Sequence, residues 1–107
     1  RNVNLLPESE SIGDLTYNRA SRRLYFEETP IELTRRELTL FEILLCRKGQ
    51  YVSKLTLADT QYGVGADINM NAVEMTVSRL RKKLVGYHIS IMVARGIGYM
   101  MDEPLEG

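Results

Sequence analysis

The chain has a single cysteine, Cys46, and a single histidine, His88, so whole classes of chemistry are closed to it. A lone cysteine makes no internal disulfide, and no Cys/His set for zinc can be assembled. His88 stands just before an extended segment and reads as structural or solvated. No apolar run approaches the roughly 18 residues of a transmembrane helix. Residues 1–10 are polar apart from Val3, Leu5 and Leu6, which is no signal-peptide pattern. There is no Ser/His/Asp group and no Cys/His pair for catalysis. Gly96-Ile-Gly98 lacks both a third glycine and a following helix, so it is no phosphate loop. These absences predict a cytoplasmic protein, not an enzyme, with no metal and no cofactor. Net charge is also lacking: 14 basic residues balance 14 acidic ones, which by itself argues against a nucleic-acid partner.

What is present points the other way, because the charge is unevenly spread. Residues 71–101 hold Arg79, Arg81, Lys82, Lys83 and Arg95 against Glu74 alone, a net of +4. The first 46 residues hold eight acidic and six basic side chains, a net of −2. A local positive face is what phosphate binding requires. At 107 residues, 44% hydrophobic and 26% charged, the chain is long enough for one modest core.

Residues 1–10, with Pro7, Glu8, Ser9 and Glu10 together, read as a linker remnant, and a chain that begins with arginine suits a fragment. The domain proper is expected over 11–102, with 103–107 as a tail. From Ile12 to Leu33 short apolar stretches alternate with turn residues, which predicts a small antiparallel sheet. Thr34-Arg35-Arg36-Glu37 is a capping box and predicts a helix from there to about Lys48, stopped by Gly49. Leu38, Phe41 and Leu45 form one stripe of it, with Leu40 and Ile43 on the far side, so it is expected to be covered on more than one face. Cys46 reads as a small apolar filler. Ser53 is the expected cap of a second helix, Lys54 to about Gln61, with Leu55 and Ala58 inward. Gly63 to Met70 reads as a loop, and Asn71 as the cap of a third helix.

That third helix, residues 71–85, carries an apolar stripe of Val73, Val77, Leu80 and Leu84. The opposite face is then Met75, Ser78, Arg79 and Lys82, with Thr76 and Lys83 on one flank and Glu74 and Arg81 on the other. Arg79 can fork onto guanine or onto phosphate, Ser78 and Thr76 can donate to phosphate or a base edge, and Met75 can meet a thymine methyl. Lys82 and Lys83 suit flanking phosphates. Cations near a helix C-terminus are also favoured by the dipole, so the helix alone does not decide between binding and a solvated end. The segment 89–101 adds to the case. Ile89, Ile91 and Val93 alternate with polar or flexible residues, Ala94-Arg95-Gly96 turns the chain, and Ile97 to Met101 returns it. A basic helix followed by an arginine-tipped hairpin is the winged helix-turn-helix arrangement for duplex DNA, helix in the major groove and wing beside it.

The chain resembles the DNA-binding effector domain of the OmpR/PhoB family of response regulators over roughly residues 11–101. The resemblance rests on Leu33-Thr34-x-x-Glu37-x-x-Leu40, on Asn71-Ala-Val-Glu-x-x-Val-Ser-Arg-Leu-Arg-Lys-Lys-Leu84, on Arg95-Gly-Ile-Gly-Tyr99, and on Tyr62-Gly63, where the family usually has Trp-Gly. It implies an α+β fold: an N-terminal four-stranded antiparallel sheet, three helices and a C-terminal β-hairpin. It implies that Arg79 and its neighbours lie in the major groove and that Arg95 approaches the minor groove; with the helix reading above, the residues expected to bind DNA are Met75, Thr76, Ser78, Arg79, Arg81, Lys82, Lys83 and Arg95. It further implies head-to-tail pairs on direct repeats, an RNA polymerase contact through residues 61–70, and a phosphorylated receiver domain N-terminal to this chain. Three positions depart from the family pattern: Val93 where Thr is common, Met100 where a polar or basic residue is common, and Thr76 where His is common.

Two other readings carry weight. A winged helix used only for protein–protein interaction would more often show apolar or acidic residues where this chain has its outward basic face and Arg95. A membrane-anchored one-component regulator would carry the same domain at its N-terminus, whereas the linker-like start of this chain favours a domain on the N-terminal side.

Overall fold

The computed structural model of the chain describes residues 8–62 and 70–104. Four short strands come first: β1 (Ser9–Ile12), β2 (Leu15–Asn18), β3 (Arg23–Phe26) and β4 (Thr29–Ile31), each antiparallel to the next in chain order. Leu15 stands opposite Phe26 and Tyr17 opposite Leu24, so the alternating apolar residues of both strands share one face. Leu15, Tyr17 and Leu24 are buried there. β1 begins at Ser9, and the carbonyl of Glu8 accepts the Arg19 N–H at 2.6 Å, so the sheet takes in residues expected to be linker. The sequence hides this strand because Ile12 is its only buried side chain.

Helix α1 (Arg35–Cys46) starts on the expected capping box: the Thr34 hydroxyl accepts the Glu37 N–H at 3.2 Å, and the Glu37 carboxylate accepts the Thr34 N–H at 3.0 Å. Leu40, Phe41, Leu44 and Leu45 are buried within one broad arc of roughly 140°, and Leu38 and Ile43 are partly buried at its two edges. Phe41 meets Tyr17 of the sheet with ring centroids 5.7 Å apart. The Tyr17 hydroxyl donates to Glu42, and the Arg22 guanidinium forks onto the same carboxylate at 2.7 and 2.8 Å, strapping sheet to helix. Cys46, expected as a core filler, is exposed at the last position of α1.

Helix α2 (Lys54–Tyr62) is capped by Ser53, whose hydroxyl accepts the Thr56 N–H at 3.0 Å. Ala58 is buried as expected, but Leu55 is 59% exposed and Leu57 takes the inward place. Leu55 lies roughly 200° round the helix from Leu57, so the two cannot share a face. Helix α3 (Met70–Leu84) begins one residue before Asn71, which places Asn71 in its first turn rather than at its cap. Of the loop expected over 63–70, Met70 instead opens α3, and 63–69 lie outside the described residues. α1 packs against both α2 and α3, and α2 against α3.

The hairpin consists of β5 (Ser90–Ala94) and β6 (Gly98–Asp102), with Ile91 opposite Met101 and both buried. A second attachment holds β6 to the body. Val52, just before α2, exchanges hydrogen bonds with Tyr99 at 2.7 and 2.9 Å, and Gly49 N–H donates to the Met101 carbonyl at 3.0 Å. Gly98 (φ +147°) permits this approach, because a Cβ there would collide with the Val52 carbonyl oxygen. At the other end the β1–β2 turn docks on the α3–β5 connection. Asp14 N–H donates to the Tyr87 carbonyl at 2.7 Å, and the Asp14 carboxylate lies 2.8 Å from His88 Nδ1. Among the described residues no helix is long and apolar enough to cross a membrane.

Candidate nucleic-acid interface

The inward stripe of α3 fixes what its outward face presents. Val73, Val77, Leu80 and Leu84 are all at most 2% exposed. Burying side chains of this size contributes roughly 1.5–3 kcal/mol each in gross transfer free energy, enough to hold the helix in one rotation about its axis. Met75, Ser78, Arg79 and Lys82 are consequently exposed together on the opposite side. Arg81 is exposed on the flank that faces the hairpin. Arg95 and Ile97 are exposed at the hairpin tip between Ala94 and Gly98.

Two expected site residues are placed differently. Thr76 is 6% exposed, and its hydroxyl donates back to the Ala72 carbonyl at 2.9 Å. It therefore belongs to the packed side of α3, and its hydrogen bond is spent within the helix. A threonine is small enough to widen the apolar stripe without breaking it, which is why the stripe drawn from larger side chains missed it. Lys83, expected to meet phosphate, is turned toward α1. Its ammonium lies 2.6 Å from the Glu37 carboxylate and 3.1 Å from the Glu32 carbonyl.

Two grooves border the outward face. The larger, about 700 Å³, lies between α3, the start of α2 and the hairpin, and its lining includes Lys54, Glu74, Ser78, Arg81 and Arg95. Lys54 forms an ion pair with Glu74 across it, which raises the lysine's pKa. The sequence alone did not mark Lys54, because a single lysine opening a helix carries no motif. Val93, expected inward with Ile89 and Ile91, is half exposed and lines this groove. The second groove, about 420 Å³, runs between α3 and the start of α1. Among the described residues the arrangement is one exposed helix face between two open grooves.

Residues 28–101 match the family model described as "Transcriptional regulatory protein, C terminal". The response regulator protein PmrA of Pseudomonas aeruginosa is 36% identical over 92 residues, spanning 86% of this chain and 41% of that protein. The transcriptional regulatory protein CusR of Escherichia coli K12 is 31% identical over 107 residues, spanning 97% of this chain and 47% of that protein. The chain thus spans less than half the length of these curated relatives. Among solved structures, the Klebsiella pneumoniae RstA DNA-binding domain in complex with its RstA box is similar with a TM-score of 0.75 and 25% identity, covering 90% of this chain and 98% of that one. The DNA-binding domain of CpxR from Escherichia coli is similar with a TM-score of 0.75 and 29% identity, covering 91% and 98%.

Proposed function

Because the chain belongs to the family of C-terminal domains of transcriptional regulatory proteins, of the OmpR/PhoB type, we propose that it binds duplex DNA sequence-specifically as the output domain of a response regulator. The observation that carries this reading is the rotation of α3, whose buried stripe leaves Met75, Ser78, Arg79 and Lys82 together on one uncovered side. In this reading α3 enters the major groove. Arg79, nearer the N-terminal half, reads a base edge, and Lys82 meets the flanking phosphates. Arg81 serves the backbone on the hairpin side, and Arg95 reaches from the wing to the minor groove. The similar RstA domain is known in complex with its own DNA box, which supports the same mode here.

The wider setting extends the reading. A receiver domain N-terminal to this chain would be phosphorylated, and two copies would sit head to tail on direct repeats about one helical turn apart, roughly 10–11 bp. The protein would work in the bacterial cytoplasm. An RNA polymerase contact through 61–70 would include 63–69, which lie outside the described residues. The test is selection of duplexes by the purified chain, followed by affinity measurement from low to moderate salt. Affinity for a selected site should fall steeply with salt. No enriched sequence, or affinity indifferent to salt, would overturn the reading.

A further inference from the structure

Three large apolar side chains stand uncovered around the groove between α2, α3 and the hairpin. Leu55 is 59% exposed in the first turn of α2, Val93 50% on β5 and Ile97 60% at the hairpin tip, and all three line this one groove. None of them belongs to the core, so the packing of the fold does not account for leucine, valine and isoleucine at these positions. A single exposed apolar residue is ordinary; three from separate elements that converge on one groove mark a binding surface. The same groove is cationic. Lys54 and Glu74 neutralise each other across it, and Arg81 and Arg95 are left over, because among the described residues no carboxylate pairs with either. The occupant must therefore carry negative charge next to apolar surface.

A DNA strand has that chemistry: each nucleotide brings one negative charge, and a sugar ring rich in C–H groups separates successive phosphates. The position of the groove agrees. A helix roughly 10–12 Å across fills a major groove about 12 Å wide, so with α3 in that groove one sugar-phosphate backbone lies on its hairpin side. We propose that Leu55, Val93 and Ile97 form an apolar wall on which the deoxyribose rings of that strand pack, while Arg81 takes a phosphate beside them and Arg95 reaches past them. This rests on the DNA-binding reading of α3 given above. Contacts to sugar carry no sequence information but fix the register of a protein on the duplex. The wall thus sets how α3 is seated. Unlike the arginines it displaces no counterions, so its contribution is the same at every salt concentration.

The test compares the wild-type chain with Leu55→Ala, Ile97→Ala, the double variant L55A/I97A and Arg81→Ala on a duplex carrying one selected site, across a salt series. Each single apolar variant should bind roughly three- to tenfold more weakly, and the pair roughly 10- to 100-fold, with the slope of log affinity against log salt unchanged. Arg81→Ala should lower that slope by about 0.9, one phosphate contact. Thermal unfolding of the apolar variants should match wild type, because both side chains are exposed, and this separates lost binding from lost fold. Reselection with the double variant should return the same preferred sequence. Wild-type affinity in the double variant overturns the proposal and leaves DNA binding standing; the wall would then serve a protein partner. A loss of slope in the apolar variants also overturns it, because they would be acting through the arginines. So does a changed preferred base, which would assign the wall to a thymine methyl instead of a sugar. If the wild type binds no selected duplex, the proposal and the reading beneath it fall together.

Discussion

The Lys83 ammonium sits 2.6 Å from Glu37, a carboxylate only 3% exposed, so the third helix is tied to the capping box of the first. Burial works to raise the Glu37 pKa, and the hydrogen bonds from Lys83 and Thr34 outweigh it and hold the carboxyl below the usual range. A depressed carboxylate adds stability above its unfolded pKa and loses it as pH falls through the folded value. Lys83→Met should therefore cost stability at neutral pH, by about 1–2 kcal/mol once the half-open position of the lysine is discounted. The deficit should shrink in acid, where Glu37 is protonated in both proteins. Denaturant titration at neutral and acid pH checks this, and an equal deficit at both would contradict it.

Arg79 and Lys82 share the outward face but should fail differently. Arg79→Ala should lose roughly 1–3 kcal/mol on the selected site and relax the preference at one base position. Lys82→Ala should weaken binding to all duplexes about equally. Competition between selected and scrambled duplexes separates the two. An Arg79→Ala protein that discriminates as well as wild type would move the reading residue elsewhere on the helix.

Gly98 and Gly96 are both in the hairpin, and only one of them faces a wall. A methyl at Gly98 would strike the Val52 carbonyl, whereas one at Gly96 meets nothing within 4 Å and bears only the strain of φ +78°. Gly98→Ala should part β6 from Val52, costing well over 1 kcal/mol, and Gly96→Ala should cost about 1 kcal/mol. Amide hydrogen exchange at Val52 and Tyr99 would show the difference directly. Equal protection in the two variants would mean that the bridge does not depend on the missing side chain.

The Tyr17 phenol pKa is pushed up to about 12, by burial and then by the Glu42 carboxylate that accepts its hydrogen bond. A raised phenol favours the neutral form in the fold. Its contribution is complete below the ordinary value of 10 and is lost as pH climbs to about 12. The stability gap between wild type and Tyr17→Phe should thus be constant through neutral pH and close across that alkaline window. Unfolding midpoints measured in small pH steps test the window; a gap that closes below pH 9 would point to another group.

The large apolar side chains made most of this fold legible. Val73, Val77, Leu80 and Leu84 announced both α3 and its rotation, and Thr34 with Glu37 announced the start of α1. What escaped was set by neighbours far along the chain. Leu55 looks like a core residue until the short α2 is seen to bury the adjacent pair Leu57 and Ala58 instead. Lys83 looks like part of a basic run, and only the packing of α3 on α1 reveals its carboxylate, which lies 46 positions away. Thr76 and β1 were hidden for the opposite reason, since a small polar residue and a strand with one buried side chain leave little pattern to find.

The division of labour along α3 has a consequence for how such a protein changes over generations. The helix is anchored by its buried stripe, by Thr76 and by Lys83, while Met75, Ser78, Arg79 and Lys82 stand uncovered. Replacements at uncovered positions of this kind commonly shift stability by less than about 0.5 kcal/mol. If these are the positions that read DNA, as proposed, operator preference can drift one letter at a time across a lineage without the domain passing through an unfolded ancestor.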